Sequence, residues 1–206
     1  MYKLLKKTLS LVSFCLVLLL IRFFVNQSTS YIFLLWNLFL AFIPLIISQL
    51  LTQYRSKYSG RTLIPFFSIW LLFLPNSLYM ITDFTHFFRS GPNSIWLDIL
   101  LLFSFAFTSL LFGIMSIHQM LGIVKQKFST TTVNFLLFAI CLGCGFGVYL
   151  GRVLRFNSWD MFTSPLTVLK RSLLSYANTT AWLMTLGFGG FLYVAVLFYS
   201  KPSTKS

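Results

Sequence analysis

The chain has 206 residues, of which 57% are hydrophobic and only 9% are charged, and its formal net charge is +13. A soluble domain usually carries about a quarter charged residues, so the composition argues against the soluble, disordered and disulfide-framework classes. The basic residues lie in short patches between apolar runs, a distribution typical of membrane proteins that contact anionic lipid headgroups. The predicted partner of the positive charge is therefore the lipid bilayer, and not nucleic acid.

Six apolar segments follow one another along the chain; five are close to the roughly 20 residues that a transmembrane helix needs, and the fourth is longer than needed. They are residues 8–25, 31–51, 62–82, 94–124, 131–150 and 180–199. The pattern predicts an all-α fold, a polytopic membrane helix bundle that forms a single integral membrane domain over residues 1–206. A short interfacial helix is predicted in the last outer loop, because Ser164 and Pro165 favour a helix start and Leu166, Leu169 and Leu173 recur at helical spacing.

The orientation follows from the distribution of lysine and arginine. With the N-terminus in the cytoplasm, ten basic residues lie on the cytoplasmic side and six on the other. This bias predicts a plasma membrane protein with both termini in the cytoplasm. All three acidic residues of the chain, Asp83, Asp98 and Asp160, are then expected at the outer face, together with His86, one of two histidines.

A polar stripe ends the third apolar run. Asn76, Tyr79, Asp83 and His86 are separated by three, four and three residues, which would place them on one face of a continuous helix. Pro75 is expected to kink that helix. The stripe has two interpretations: Asp83 and His86 serve as acid, base or ligand, or they cap a helix end in the headgroup layer with Asp83 paired to an arginine. The i, i+3 spacing also occurs in helical metal sites, but further ligands are few, so no metal and no cofactor is predicted.

Two arginines complete the predicted site. Arg152 and Arg155 lie three residues apart and could hold a phosphate by paired hydrogen bonds, or they could reach the headgroups and pair with acidic residues. Asp98 lies inside its span and needs a partner, for which Arg152 is predicted. The candidate catalytic residues are Asp83, His86, Asp98 and Asp160. The candidate substrate-binding residues are Asn37, Asn76, Tyr79, Arg152, Arg155 and Asn157.

Two further features concern helix packing. Asn37, about two turns inside the second span, is expected either to donate an interhelical hydrogen bond or to line the same cavity. Gly143, Gly147 and Gly151 recur every four residues in the fifth span, a face that permits close approach of another helix. This glycine face predicts a possible helix–helix partner.

Four motifs in order resemble a known family. They are W-N-L-F-L-A-F-I-P at 36–44, W-L-L-F-L-P-N-S-L-Y-M-I-T-D-F-T-H at 70–86, W-L-D-I-L-L-L-F-S-F-A at 96–106 and Y-L-G-R-V-L-R-F-N-S-W-D at 149–160. Together they resemble the bacterial multi-pass membrane family catalogued as domain of unknown function 1361. The resemblance implies a polytopic membrane protein and implies no activity, cofactor or partner.

Three functions are compatible with these patterns. The protein could bind or act on a lipid-linked or anionic substrate at the outer leaflet, with Asp83 and His86 in acid–base roles and the arginines on phosphate. It could instead be a non-catalytic membrane partner or assembly factor. It could also be a small transporter, although no inverted repeat is visible and the middle of each span lacks charge.

Overall fold

A computed structural model describes residues 2–54, 60–83 and 95–199, with side chains from residue 8 and from residue 63 in the first two ranges. All regular elements in these ranges are helices. The helices are α1 (Tyr2–Asn26), α2 (Phe33–Gln53), α3 (Gly60–Phe73), α4 (Asn76–Tyr79), α5 (Ile95–Val124), α6 (Thr130–Arg152), α7 (Asp160–Thr163), α8 (Pro165–Leu174) and α9 (Thr179–Tyr199). A 3₁₀ turn, Ser175–Ala177, joins α8 to α9.

Six helical stretches are long and apolar enough to cross a membrane: Thr8–Asn26, Phe33–Gln53, Leu63–Asp83, Ile95–Val124, Thr130–Arg152 and Thr179–Tyr199. The all-α bundle expected from the apolar runs is therefore confirmed. The third stretch is interrupted, since α3 ends at Phe73 and a turn at Leu74 and Pro75 precedes α4 and a final 3₁₀ turn. The proline has no amide hydrogen to donate, so the effect of Pro75 is a break in the span, stronger than a kink.

Helix α5 lies at the centre of the bundle, because 67% of its most apolar window is buried, the largest share among the six stretches. The N-terminal half of α5 packs with α1 and α2 around Leu34, Leu101 and Phe105. Its other half packs with α3, α6 and α9 around Trp70 and Ile117. The two cores therefore lie at different depths of the bundle, and the third span contributes to both, through Met80 and Trp70.

Small residues join α4 to α5 where the third span breaks. A Cβ added at Gly113 would overlap the Ser77 side chain, so the two backbones approach closely. The Ser109 hydroxyl donates to the Ser77 carbonyl at 2.9 Å. Lower in the same interface, the Trp70 indole N–H donates to the Ser116 hydroxyl at 2.6 Å. These polar contacts hold the interrupted span against the central helix without exposing backbone groups to lipid.

Helix α8 has the predicted amphipathic character and begins with Pro165 in its first turn. Val168 is the buried residue of this helix, whereas Leu166, Leu169 and Leu173 are 80%, 57% and 68% exposed. Val168 attaches this helix to the bundle, and the exposed leucines form an apolar surface. A helix of this kind suits the membrane interface.

Candidate functional site

Asp83 lies at the end of the third span and is only 2% exposed. Its Oδ2 accepts a hydrogen bond from the Asn37 side-chain amide at 3.0 Å, and its Oδ1 accepts one from Nη1 of Arg152 at 3.3 Å. The second guanidinium nitrogen, Nη2, donates to the Thr82 carbonyl at 2.9 Å. We call Asn37, Thr82, Asp83 and Arg152 the Asp83 cluster, and the corresponding end of the bundle the Asp83 end. The cluster joins α2, the third span and α6, so the predicted pairing of Asp83 with an arginine is present.

The other stripe residues connect the third span to the end of α6 and the segment after it. The Tyr79 hydroxyl donates to the Gly151 carbonyl at 3.0 Å, and the Arg152 guanidinium lies 6.0 Å from the centre of the Tyr79 ring. The Asn76 amide donates to the Ser158 hydroxyl at 3.0 Å. Because the break at Pro75 ends the regular helix, Asn76 and Asp83 have different partners instead of forming one face.

Asp98 has a different partner from the predicted one. It is fully buried and forms a salt bridge with Arg22 of α1, in which Nη2 of Arg22 lies 3.3 Å from Oδ2. The Tyr31 hydroxyl donates to the same oxygen at 3.2 Å. The prediction that Arg152 pairs with Asp98 is therefore wrong. We call Arg22, Tyr31 and Asp98 the Asp98 cluster; it lies at the same end of the bundle and joins α1, α5 and the start of the second span.

The remaining candidates have local or exposed positions. The Asp160 carboxylate accepts a hydrogen bond from the backbone amide of Asn157 at 2.7 Å. This contact lies within the loop and fixes the turn before α7. The Asn157 side chain is exposed and borders a groove described below. Arg155 is exposed and has φ of 59°, the left-handed conformation that costs a non-glycine residue about 1–2 kcal/mol. His86 lies outside the described residues.

A groove of about 920 Å³ lies between the third span and α6 and is roofed by the segment that follows α6. Its volume is near the upper end of the range for small-molecule sites, about 300–1,000 Å³. The walls below the roof are apolar and come mainly from α3 and α6. The polar side chains near the roof are Asn37, Asn76, Tyr79, Asn157 and Ser158. Four of the six predicted substrate-binding residues therefore border one cavity.

The glycine face of α6 explains why the groove exists. A Cβ added at Gly147 would overlap the Pro75 ring, and one at Gly151 would lie 2.7 Å from Cε2 of Tyr79, so the third span touches α6 closely at these two turns. Gly143 has no atom within 4 Å of its Cβ position, and it lines the groove. Two of the three glycines thus have neighbours within the chain, and the predicted helix partner outside the chain stays a prediction.

A different face of α6 packs against α9, and this contact fixes the distance between α6 and α3. A Cβ added at Gly145 would lie 2.7 Å from the Gly189 amide nitrogen, and one at Gly189 would lie 2.9 Å from the Cys141 carbonyl oxygen. The backbones of α6 and α9 are therefore in contact, as small residues permit in membrane helices. The third span contacts α6 at Gly147 and Gly151, and the groove runs along these contacts and past Gly143 to Leu136.

Two guanidinium groups stand against aromatic rings that line the polar end of the groove. Arg152 lies 6.0 Å from the centre of the Tyr79 ring, and Arg171 of α8 lies 6.0 Å from the centre of the Phe156 ring. Arg152 is also held by Asp83, whereas Arg171 is exposed and forms no ion pair within the described chain. Positive charge therefore borders the groove where its lining becomes polar.

Sequence reasoning missed three residues of this arrangement. Arg22 was counted only as a basic residue at a membrane face, although a charge within an apolar run requires a buried partner, and that signal could have paired it with Asp98. Tyr31 and Arg171 carried no distinguishing signal, because aromatic and basic residues are common at membrane interfaces. Among the described residues, no group of three His, Cys, Asp or Glu could hold a metal ion.

The fold and the site together define a multi-pass α-helical membrane protein with an internal groove that is apolar along its length and polar at one end. The model of a protein family of unknown function, DUF1361, matches residues 36–195, which is most of the chain. The chain belongs to this family, as its four motifs suggested. No curated protein and no solved structure matches it.

Proposed function

We propose that this protein binds an anionic, lipid-linked ligand, with the ligand's charged group at the Asp83 end and its hydrophobic part in the groove. The observation that carries the proposal is the groove itself, which is apolar over most of its length and has five polar side chains at one end, where two guanidinium groups lie against the lining rings of Tyr79 and Phe156. A ligand with a polar head and an apolar tail matches that distribution.

The charges favour an anion. The acidic side chains near the site are engaged by the protein, since Asp83 accepts from Asn37 and Arg152 and Asp160 accepts from a backbone amide. Arg155 and Arg171 are exposed, and neither forms a hydrogen bond or ion pair through its side chain within the described residues. A phosphate group is the natural partner for such arginines, because guanidinium and phosphate form paired, charge-assisted hydrogen bonds.

The same contacts favour binding over acid–base chemistry at Asp83. Both carboxylate oxygens accept hydrogen bonds, and the side chain is 2% exposed. A general base must reach the proton that it removes, and Asp83 would first have to leave Asn37 or Arg152. We therefore assign Asp83 the role of positioning Arg152 and Asn37 beside the groove.

The proposal includes the orientation. We propose a bacterial plasma membrane location, as the family resemblance suggests, with cytoplasmic termini and the Asp83 end outside, an orientation that the bias of basic residues supports. A thiol introduced at Asn157 should then react with a membrane-impermeant reagent in intact cells, whereas one at Gln126, exposed beyond the other end of α5, should react only after lysis. The native thiols of Cys15, Cys141 and Cys144 are buried and serve as the unreactive background. The reverse labelling pattern would place the site on the cytoplasmic side.

The binding test compares two ligands that differ only in charge, farnesyl phosphate and farnesol, with the purified protein in nanodiscs of neutral lipid. We expect the phosphate to bind at least about tenfold more tightly, the equivalent of about 1.4 kcal/mol. Arg171→Gln should reduce phosphate binding by about five- to tenfold and leave farnesol binding unchanged, because one charge-assisted hydrogen bond is lost at a partly solvated site.

The matched control is Lys170→Gln, which removes the same charge from the neighbouring position of α8. Lys170 is exposed and forms no ring contact within the described residues, so this change should leave both affinities within about twofold of the wild type. Equal affinity for the phosphate and the alcohol would overturn the assignment of an anionic ligand. Equal effects of Lys170→Gln and Arg171→Gln would mean that phosphate binding depends on the total charge of α8. That result would overturn the specific role of Arg171.

A further inference from the structure

The length of the groove carries information about the tail of the ligand. On α6 its lining begins at Leu136 and ends at Gly151. These positions are fifteen residues apart, which corresponds to about 22 Å along a helix axis. The hydrocarbon region of a bilayer is about 30 Å thick, so one leaflet contributes about 15 Å. The groove therefore continues past the depth at which the acyl chain of an ordinary lipid in one leaflet ends.

The opposite wall reaches the same depth. On α3 the lining begins at Pro65, five residues after the helix starts at Gly60, and it continues to Tyr79 beyond the break. Pro65 and Leu136 both lie close to the end of the bundle away from Asp83. The deep part is mainly apolar and includes Phe67, Ile69 and Ala139, and its one polar side chain, Ser68, donates to the Ile64 carbonyl of its own helix at 3.1 Å.

From this length we infer that the ligand is a single-chain lipid phosphate whose tail is longer than one leaflet, such as a long polyisoprenoid carrier. The inference rests on the proposed function and adds the class of tail to it. A long unsaturated isoprenoid chain has no leaflet of matching thickness to occupy, and an apolar groove that crosses the bilayer midplane shelters the excess length. An ordinary two-chain phospholipid would fill only the upper part and leave the lower part to bulk lipid.

In the upper part of the groove, Pro75 of the third span lies against Gly147 of α6. Below Gly147, nothing lies within 4 Å of the Cβ position at Gly143. Ala139, one turn deeper, is exposed and lines the groove. A chain can therefore pass along α6 beneath the glycine contacts without displacing a core side chain.

The test keeps the phosphate head constant and varies the tail. Purified protein in nanodiscs is titrated with farnesyl phosphate, whose tail does not exceed one leaflet, with a long-chain polyprenyl phosphate, and with a phosphatidic acid of ordinary acyl length. We expect the long-chain polyprenyl phosphate to bind at least about tenfold more tightly than either of the others. Farnesyl phosphate and phosphatidic acid should have similar affinities.

A substitution at the deep end tests whether the groove causes this preference. Ala139→Trp adds a large ring about 18 Å from Gly151, taken as 1.5 Å per helical residue. It should lower the affinity for the long-chain phosphate to the level of farnesyl phosphate and leave farnesyl phosphate binding unchanged. The control Phe135→Trp adds bulk to α6 at a position that is 73% exposed and does not line the groove, and it should alter neither affinity.

The outcomes separate the two levels of the proposal. Equal binding of all three phosphates would refute the inference about the tail and leave the proposed anionic ligand in place. Binding of farnesol as tightly as farnesyl phosphate in the same nanodiscs would refute the proposed function instead. Retention of the long-chain preference in Ala139→Trp would show that the tail does not use the groove, and the inference would fail.

Discussion

The Asp98 cluster allows the sharpest prediction about stability, because both charges of its salt bridge are out of water. The Arg22 side chain is 6% exposed and that of Asp98 is 0% exposed. Removing one partner of a buried ion pair costs about 3–5 kcal/mol, since the other charge stays buried without compensation. Arg22 lies about one turn from the end of α1 and can reach towards the headgroups, which favours the lower value, about 3 kcal/mol.

The expected outcome is a strong coupling between the two residues. Asp98→Leu and Arg22→Met should each lower the free energy of unfolding by about 3 kcal/mol, roughly a 150-fold change in the folding equilibrium constant. The double variant contains neither charge and should lie within about 1 kcal/mol of the wild type, because replacing a whole buried pair by apolar side chains is often nearly neutral. In the double-mutant cycle, the two single losses exceed the loss in the double variant by at least about 5 kcal/mol, which is the coupling energy.

The measurement is reversible unfolding of the purified protein in mixed micelles at increasing fractions of sodium dodecyl sulfate. Tyr31→Phe removes only the hydroxyl that donates to Asp98 and should cost about 1.5 kcal/mol, as expected for a hydrogen bond to a charged group. Additive losses of about 6 kcal/mol in the double variant would refute the reasoning, because they would mean that Arg22 and Asp98 act independently. Single losses below about 1 kcal/mol would mean that water reaches the pair.

Two predictions concern helix packing and use the same unfolding assay. Gly147→Leu should destabilise the protein by about 1–3 kcal/mol because its side chain would overlap Pro75, whereas Gly187→Leu, with nothing within 4 Å of its Cβ position, should have no effect; equal losses would contradict the close approach. Ser116→Ala should cost about 1–3 kcal/mol because it leaves the buried Trp70 N–H without its acceptor, and full stability in that variant would show that this hydrogen bond is not needed.

The architecture could be predicted from the sequence because apolar length is a local property. The six runs of about 20 residues predicted the six spans, and Ser164 and Pro165 predicted the start of α8. Membrane helices satisfy their own backbone hydrogen bonds, so each run specifies its structure without knowledge of its neighbours. The family also followed from local motifs.

The site was predicted only in part, because its contacts depend on how helices pack around α5. Asp83, Asn37 and Arg152 belong together, as the polar stripe and the arginines indicated, but the choice of Arg152 for Asp98 was wrong. Topology places Arg152 at the same membrane face as Asp98, but it does not show which helix packs beside Asp98, and that helix is α1, which carries Arg22. The groove was also beyond sequence reasoning, since it depends on the close contacts that α6 makes with the third span on one face and with α9 on another.

The two salt bridges also constrain the order in which the protein can be completed during synthesis. Arg22 is 76 residues ahead of Asp98 in the chain, and Asp83 is 69 residues ahead of Arg152. Each earlier charge must therefore enter the membrane region before its partner has been made, and it stays at the headgroups or beside water until the later helix arrives. We therefore expect the first span to reach its final depth only when α5 has joined it, and the third span only when α6 has joined it.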